Sequence, residues 1–165
     1  MKKKKKSKRE YSIDQIELEV KKFREACELL KRDICNGSAI NDFKTSMSME
    51  SFPKNTCVEI SQTLAYYLRK KFPGIYLVLI HAWNDLPVTK SSWGGDHKWL
   101  ETDDGIIIDI TLDQFMNVTS RWIVAKESPI HESMRNHKKS NPYSLESFPD
   151  NLKRLLTAIE KYVVE

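Results

Sequence analysis

From Ile13 onward apolar residues return at Ile16, Val20, Phe23, Cys27, Leu30 and Ile34, at spacings that alternate between three and four. Such a period lines one face of an α-helix and nothing else, so a single long amphipathic helix is expected here. Ser12 and Gln15 frame a Ser-x-x-Gln capping box at its start, and Asn36-Gly37 supplies the usual chemistry of its end. Residues 38 to 52 are polar and rich in Ser and Met, which reads as a loop with a short helical turn. A second helix begins near Thr56 and stops at Phe72-Pro73-Gly74. The run IYLVLIHAW, Ile75 to Trp83, is continuously apolar and β-rich, as in a strand buried on both faces. After a loop with Pro and Gly-Gly, HKWLETDDGIIIDIT reads as a hairpin around Asp103-Asp104-Gly105. RWIVAK, residues 121 to 126, is a further strand, followed by a polar loop. Leu152, Leu155, Leu156, Ile159, Tyr162 and Val163 mark a C-terminal amphipathic helix introduced by Pro149-Asp150. Helix, helix, consecutive strands and helix together predict an α+β fold with an antiparallel sheet, not alternating parallel units.

Composition narrows this further. A chain of 165 residues with 40% hydrophobic content is sized for one domain, expected over residues 11–165. Residues 1–10 form a basic tail expected to be disordered: seven of the 27 basic residues lie within the first nine positions. The remainder carries twenty basic against 23 acidic residues, a net of −3, so the body lacks the basic field that a phosphate-binding surface needs. The tail, Lys2 to Arg9, is read first as a solvated run, and second as a weak tether to nucleic acid or anionic membrane. Neither a bilayer-spanning stretch nor a secretory signal follows it, which predicts a cytoplasmic protein. Cys27, Cys35 and Cys57 form no Cys-x-x-Cys pair and no even framework, so free thiols are expected and no metal or organic cofactor is called for. Cys27 falls inside the apolar stripe and is assigned to the core.

Cys57 is different, because it sits in what should be the first turn of the second helix, where unpaired backbone N–H groups favour negative charge. A thiol reacts as thiolate and needs a base, and that base needs a group to hold its tautomer. His97 and Asp109 are the candidates, and the hairpin decides whether they can meet. A three-residue Asp103-Asp104-Gly105 loop pairs Thr102 with Ile106 and Trp99 with Asp109, placing His97 and Asp109 as diagonal neighbours on one face. A two-residue turn would send them to opposite faces. Asp109 lies among Ile106, Ile107, Ile108 and Ile110, where a carboxylate would be costly to bury without a hydrogen-bonded partner. His81, in HAW, is the rival base and is read as a satisfied strand histidine. His131 and His137 do not have the spacing of a zinc helix motif. Trp83, Trp93, Trp99 and Trp122 are read as core or cleft wall. Ser61, one turn after Cys57, is expected to bond its own helix backbone or to line the site.

The segments FPKNTC, DHKWLE and GIIIDITLDQF, between Phe52 and Phe115, resemble the cysteine, histidine and aspartate blocks of the transglutaminase-like branch of the papain-like superfamily, of which small bacterial proteins carry similar versions. The resemblance implies a papain-like or transglutaminase-like fold, with the nucleophile helix packed on an antiparallel sheet between long N- and C-terminal helices. By it Cys57 is nucleophile, His97 base and acid, Asp109 the orienting group, and Gln114 a cleft residue. Val58 stands where the family commonly has Trp, and no upstream Gln is available for an oxyanion hole, leaving the backbone N–H of Cys57 and the side chain of Asn55 as donors. The implied activity is cysteine-dependent acyl transfer on an amide, isopeptide or thioester of a protein or peptide. A papain-fold binding module without activity, and an effector or toxin targeted by its basic tail, are the alternatives.

Overall fold

The computed structural model describes residues 11–39, 49–84, 95–115, 118–134, 136–142, 144 and 146–164. The basic tail, most of the Ser- and Met-rich loop and Trp93 therefore lie outside the described residues. Four helices and a five-stranded antiparallel sheet are present among the described residues, an α+β arrangement.

Helix α1 spans Ile13–Cys35. Both halves of the capping box form: Ser12 Oγ accepts from the Gln15 backbone N–H at 3.2 Å, and Gln15 Oε1 accepts from the Ser12 N–H at 2.8 Å. Its buried stripe runs through Ile16, Val20, Phe23, Cys27, Leu30 and Ile34, and Cys27 is fully buried, as its place in the stripe predicted. Helix α2 spans Cys57–Lys71, α3 Pro129–Glu132 and α4 Asp150–Glu160. Helix α4 is shorter than the apolar period suggested: Tyr162 and Val163 lie beyond its end but still pack on the core, and Tyr162 is held by a 2.9 Å hydrogen bond to Asp33.

The strands are β1 Leu77–Asn84, β2 Gly95–Thr102, β3 Ile107–Asp109, β4 Ile123–Ala125 and β5 Asn136–Ser140, in the order β4-β3-β2-β1-β5. Strand β1 starts two residues later than its β-rich run, and β4 occupies only the centre of 121–126. The stretch expected to be a polar loop contains both α3 and β5. Strand β5, NHKKS, has no apolar alternation because it is the sheet's edge among the described strands, where charged side chains are exposed and discourage further pairing.

Alternation along the strands separates two apolar layers. Leu77, Leu79, Leu100, Ile106 and Ile108 face α1, α2 and α4 in the main core. Ile80, Ala82, Trp99, Ile107, Leu112 and Met134 form a smaller cluster on the other face. The isoleucine run is thus buried on both sides, and Asp109 within it is 1% exposed.

The hairpin takes the odd loop. Leu100 pairs with Ile108 and Glu101 with Ile107, while the Thr102 N–H donates to Ile106 O at 3.0 Å. Gly105 closes the loop at φ 84°, the left-handed region that L-residues with a Cβ avoid. Strand β3 ends at Asp109, whereas β2 runs back to Gly95, so the flank of β2 at its first residues has no β3 neighbour. Backbone groups two residues apart face the same flank, and Thr102 faces β3; the carbonyl of Lys98 therefore points into that gap. Ser61 of α2 fills it, donating to Lys98 O at 3.2 Å. A short β3 and a small hydroxyl residue thereby admit the start of α2 beside β2.

Candidate active site

Helix α2 begins at Cys57, which is 7% exposed. The preceding Thr56 makes no side-chain cap; its Oγ1 instead donates to Pro53 O at 2.9 Å. The first-turn N–H groups of α2, which begins with Cys57, consequently lack a capping hydroxyl from Thr56. Ser61 anchors the next turn to β2 beside His97, a bond across to the strand instead of the bond within its own helix that was expected.

His97 is fully buried, and its Nε2 lies 2.5 Å from Asp109 Oδ2. These are the diagonal neighbours that the three-residue loop requires. The Nδ1 side meets Gln114 Nε2 at 2.9 Å. The thiol of Cys57 lies close enough to the ring to help raise its pKa. With Nε2–H committed to the carboxylate, Nδ1 is the nitrogen left for the amide and the thiol. Trp99 stacks near the ring at 5.7 Å between centroids, and Phe115 meets it edge-on at 4.9 Å, so its tilt is fixed by packing as well as by bonds.

Asp109 is held from both oxygens. Oδ1 accepts from the Thr111 N–H at 2.8 Å and the Thr111 hydroxyl at 3.2 Å. Oδ2 accepts from His97 and, at 3.1 Å, from His131 Nε2. Burial pushes the carboxyl upward, but the charge of His97 and the bonds from His131 and His97 outweigh it and hold Asp109 below the usual carboxylate range. Burial likewise pushes His97 down, yet the charge and hydrogen bond of Asp109, with the bond and charge of Cys57, raise it to about 9. The pair is an ion pair at neutral pH.

His131 was not identified from the sequence. It lies in α3, a four-residue helix that Ser128-Pro129 opens, and Ser128 Oγ sits 2.6 Å from its Nδ1. The Ser-Pro start is a local helix signal, but the meeting of His131 with Asp109, 22 residues earlier, is a tertiary contact. His97, Asp109 and His131 offer ligand atoms within 4.8 Å of one another, the one such group among the described residues. Tetrahedral zinc with N and O ligands would hold them about 3.3 Å apart. The observed 2.5 and 3.1 Å separations are those of groups sharing protons.

The remaining expectations divide. Gln114 reaches the site, on His97 itself. Asn55 is exposed in the turn before α2, at φ 57°, a conformation asparagine tolerates better than most residues. His81 pairs across strands with Lys98, and so projects from the face opposite His97. Its Nε2 is buried without a hydrogen bond even though Asp96 Oδ2 lies 3.2 Å away, off the line a hydrogen bond needs. Trp99 is buried beside the site, and Trp122 packs partly buried on the main core. No helix among the described residues is long and apolar enough to cross a membrane. The chain matches no family model, no curated protein and no solved structure.

Proposed function

We propose that the protein is a cysteine-dependent acyl-transfer enzyme of transglutaminase-like or papain-like type, acting on a protein or peptide amide, isopeptide or thioester, with Cys57 as nucleophile. The observation that carries this reading is one ring set between a carboxylate and a thiol: His97 Nε2 is held at 2.5 Å by buried Asp109, and the Cys57 thiol at the start of α2 lies close enough to act on the same ring. A structural cysteine needs neither a base nor an oriented one.

In the proposed reaction the reacting form is the Cys57 thiolate beside the His97 imidazolium, the thiol proton already resting on Nδ1, and the Cys57 sulfur attacks the acyl carbon. The carbonyl π electrons move to oxygen, and the oxyanion is met by the N–H groups of the α2 start. As the tetrahedral species collapses, the bond from carbon to the leaving amine or thiol breaks and His97 Nδ1–H supplies the leaving group with its proton. Water or an amine then gives a proton to His97, attacks the thioester and frees the sulfur. Asp109 stays ionised throughout, because all its lone-pair directions are engaged by donors. It keeps Nε2 protonated, so that the proton in transit is the one on Nδ1.

The test is covalent trapping. Incubation with p-nitrophenyl acetate is expected to release one equivalent of p-nitrophenol in a burst and to leave acetyl on Cys57, located by peptide mass spectrometry. No burst, or acetyl spread equally over Cys35 and surface lysines, contradicts the proposal and favours a binding module built on the same residues.

A further inference from the structure

His131 is bonded at both ring nitrogens, buried to 6% exposure, and directed at the same carboxylate oxygen that holds His97. A histidine placed only to fill space would need one satisfied nitrogen and no second imidazole within reach. Here the ring sits edge-on to Trp99 at 4.8 Å between centroids, and Trp99 also flanks His97. The Asp109 carboxylate can only accept, which puts a proton on Nε2, and the hydroxyl of Ser128, buried at 3% exposure, engages Nδ1 on the other side of the ring at 2.6 Å.

We propose that His131 is a positioning residue that acts through Asp109, locking the carboxylate's rotation and limiting the negative charge it presents to His97. The inference rests on the reading of His97 as the base of the site. Two donors on Oδ2 share one oxygen's electron density, so each weakens the other's bond. Removing the His131 donor returns density to the His97 bond, which favours the imidazolium further and makes the base harder to regenerate. It also removes one of the four donors that fix the carboxylate's rotation, leaving Thr111 on Oδ1 and His97 on Oδ2. The charged or titratable groups that face His97 are Asp109 from β3, Cys57 from α2 and, beyond the carboxylate, His131 from α3. Among these, His131 can be changed while leaving every hydrogen bond of His97 in place.

The experiment follows the His97 ring by NMR titration in the full chain carrying labelled histidine, for the parent, His131→Leu, His131→Gln and Ser128→Ala. Removal of the donor in His131→Leu is expected to raise the His97 midpoint by roughly one pH unit. His131→Gln, whose amide N–H can reach the same oxygen, should return it to within a few tenths of the parent, and Ser128→Ala should raise it less than His131→Leu. An unmoved midpoint in folded His131→Leu overturns the proposal and leaves His131 as packing. If His131→Leu fails to fold, an unmoved midpoint in Ser128→Ala overturns it instead. Alkylation of Cys57 in the parent separates the two ideas: a shifted His97 midpoint with an unreactive Cys57 contradicts acyl transfer and still supports the His131 assignment.

Discussion

At the scale of single residues, the site is an ion pair whose two halves each resist burial alone. A buried carboxylate or imidazolium without its partner would neutralise, so the structure's stability is tied to the protonation of His97. His97 ionises near an ordinary 6.5 when the chain is unfolded and at about 9 when folded. A raised folded value means that its contribution is fully present below pH 6.5 and is lost as pH rises to about 9. That linkage is on the order of 3 kcal/mol, and the lowered Asp109 is the same interaction seen from its partner, so the two do not add. Thermal melts between pH 6.5 and 9 should show a falling midpoint in the parent and a flat one in His97→Gln. A parent that melts at one temperature across this range would contradict the ion pair.

At the scale of elements, the turn chemistry carried most of the site. Asp103-Asp104-Gly105 sets the register, the register sets the faces, and the faces bring His97 to Asp109; these residues are local, and the coordinates select the three-residue loop over the two-residue turn that the sequence leaves open. The capping box and Pro149 were equally local. Strand β5 and helix α3 were not legible, because a charged edge strand and a four-residue helix gain their order from tertiary neighbours and leave little period in the sequence. His131 was hidden with α3. Gln114 was visible as a residue but not in its role, since what places it is a buried arginine on another element. Arg24 of α1 forms a two-pronged pair with Asp113 at 2.8 and 2.9 Å, bonds the carbonyl of Ile110, and lies over Phe52. It straps the 110–114 turn, and so Gln114, to the first helix.

Arg24→Ala leaves Asp113 and a buried carbonyl unpaired and is expected to destabilise the protein by about 3 kcal/mol, the lower end for a broken buried pair because Asp113 keeps some exposure. Lys70→Ala, which breaks an exposed pair with Glu160, should cost about 0–1 kcal/mol. Urea denaturation of both variants checks the contrast; equal small losses would mean that the strap does not hold the turn.

At the scale of the whole molecule, the sheet divides labour between its faces. One face and three helices supply the larger core, in which Phe23 and Tyr67 pack at 5.1 Å between ring centroids and the Tyr67 hydroxyl is tied to Glu19 at 2.6 Å. The other face carries the polar chain of Ser128, His131, Asp109 and His97 inside a small apolar cluster. The polar network is thus set apart from the packing that stabilises the fold, and the truncated β3 lets the start of α2 bring a thiol to its rim. The α+β class and the order of elements were legible from the sequence because hydrophobic period and strand composition are read over many residues at once. The pairing of faces required coordinates.

The account turns on whether Cys57 and His97 behave as one unit. Iodoacetamide alkylation of Cys57 as a function of pH, followed by peptide mass spectrometry in the parent and in His97→Ala, measures this directly. A coupled pair predicts modification at neutral pH faster than at exposed Cys35 by on the order of tenfold or more, with that advantage abolished in the variant. Equal, slow modification of Cys57 in both proteins, no faster than at Cys35, would contradict it.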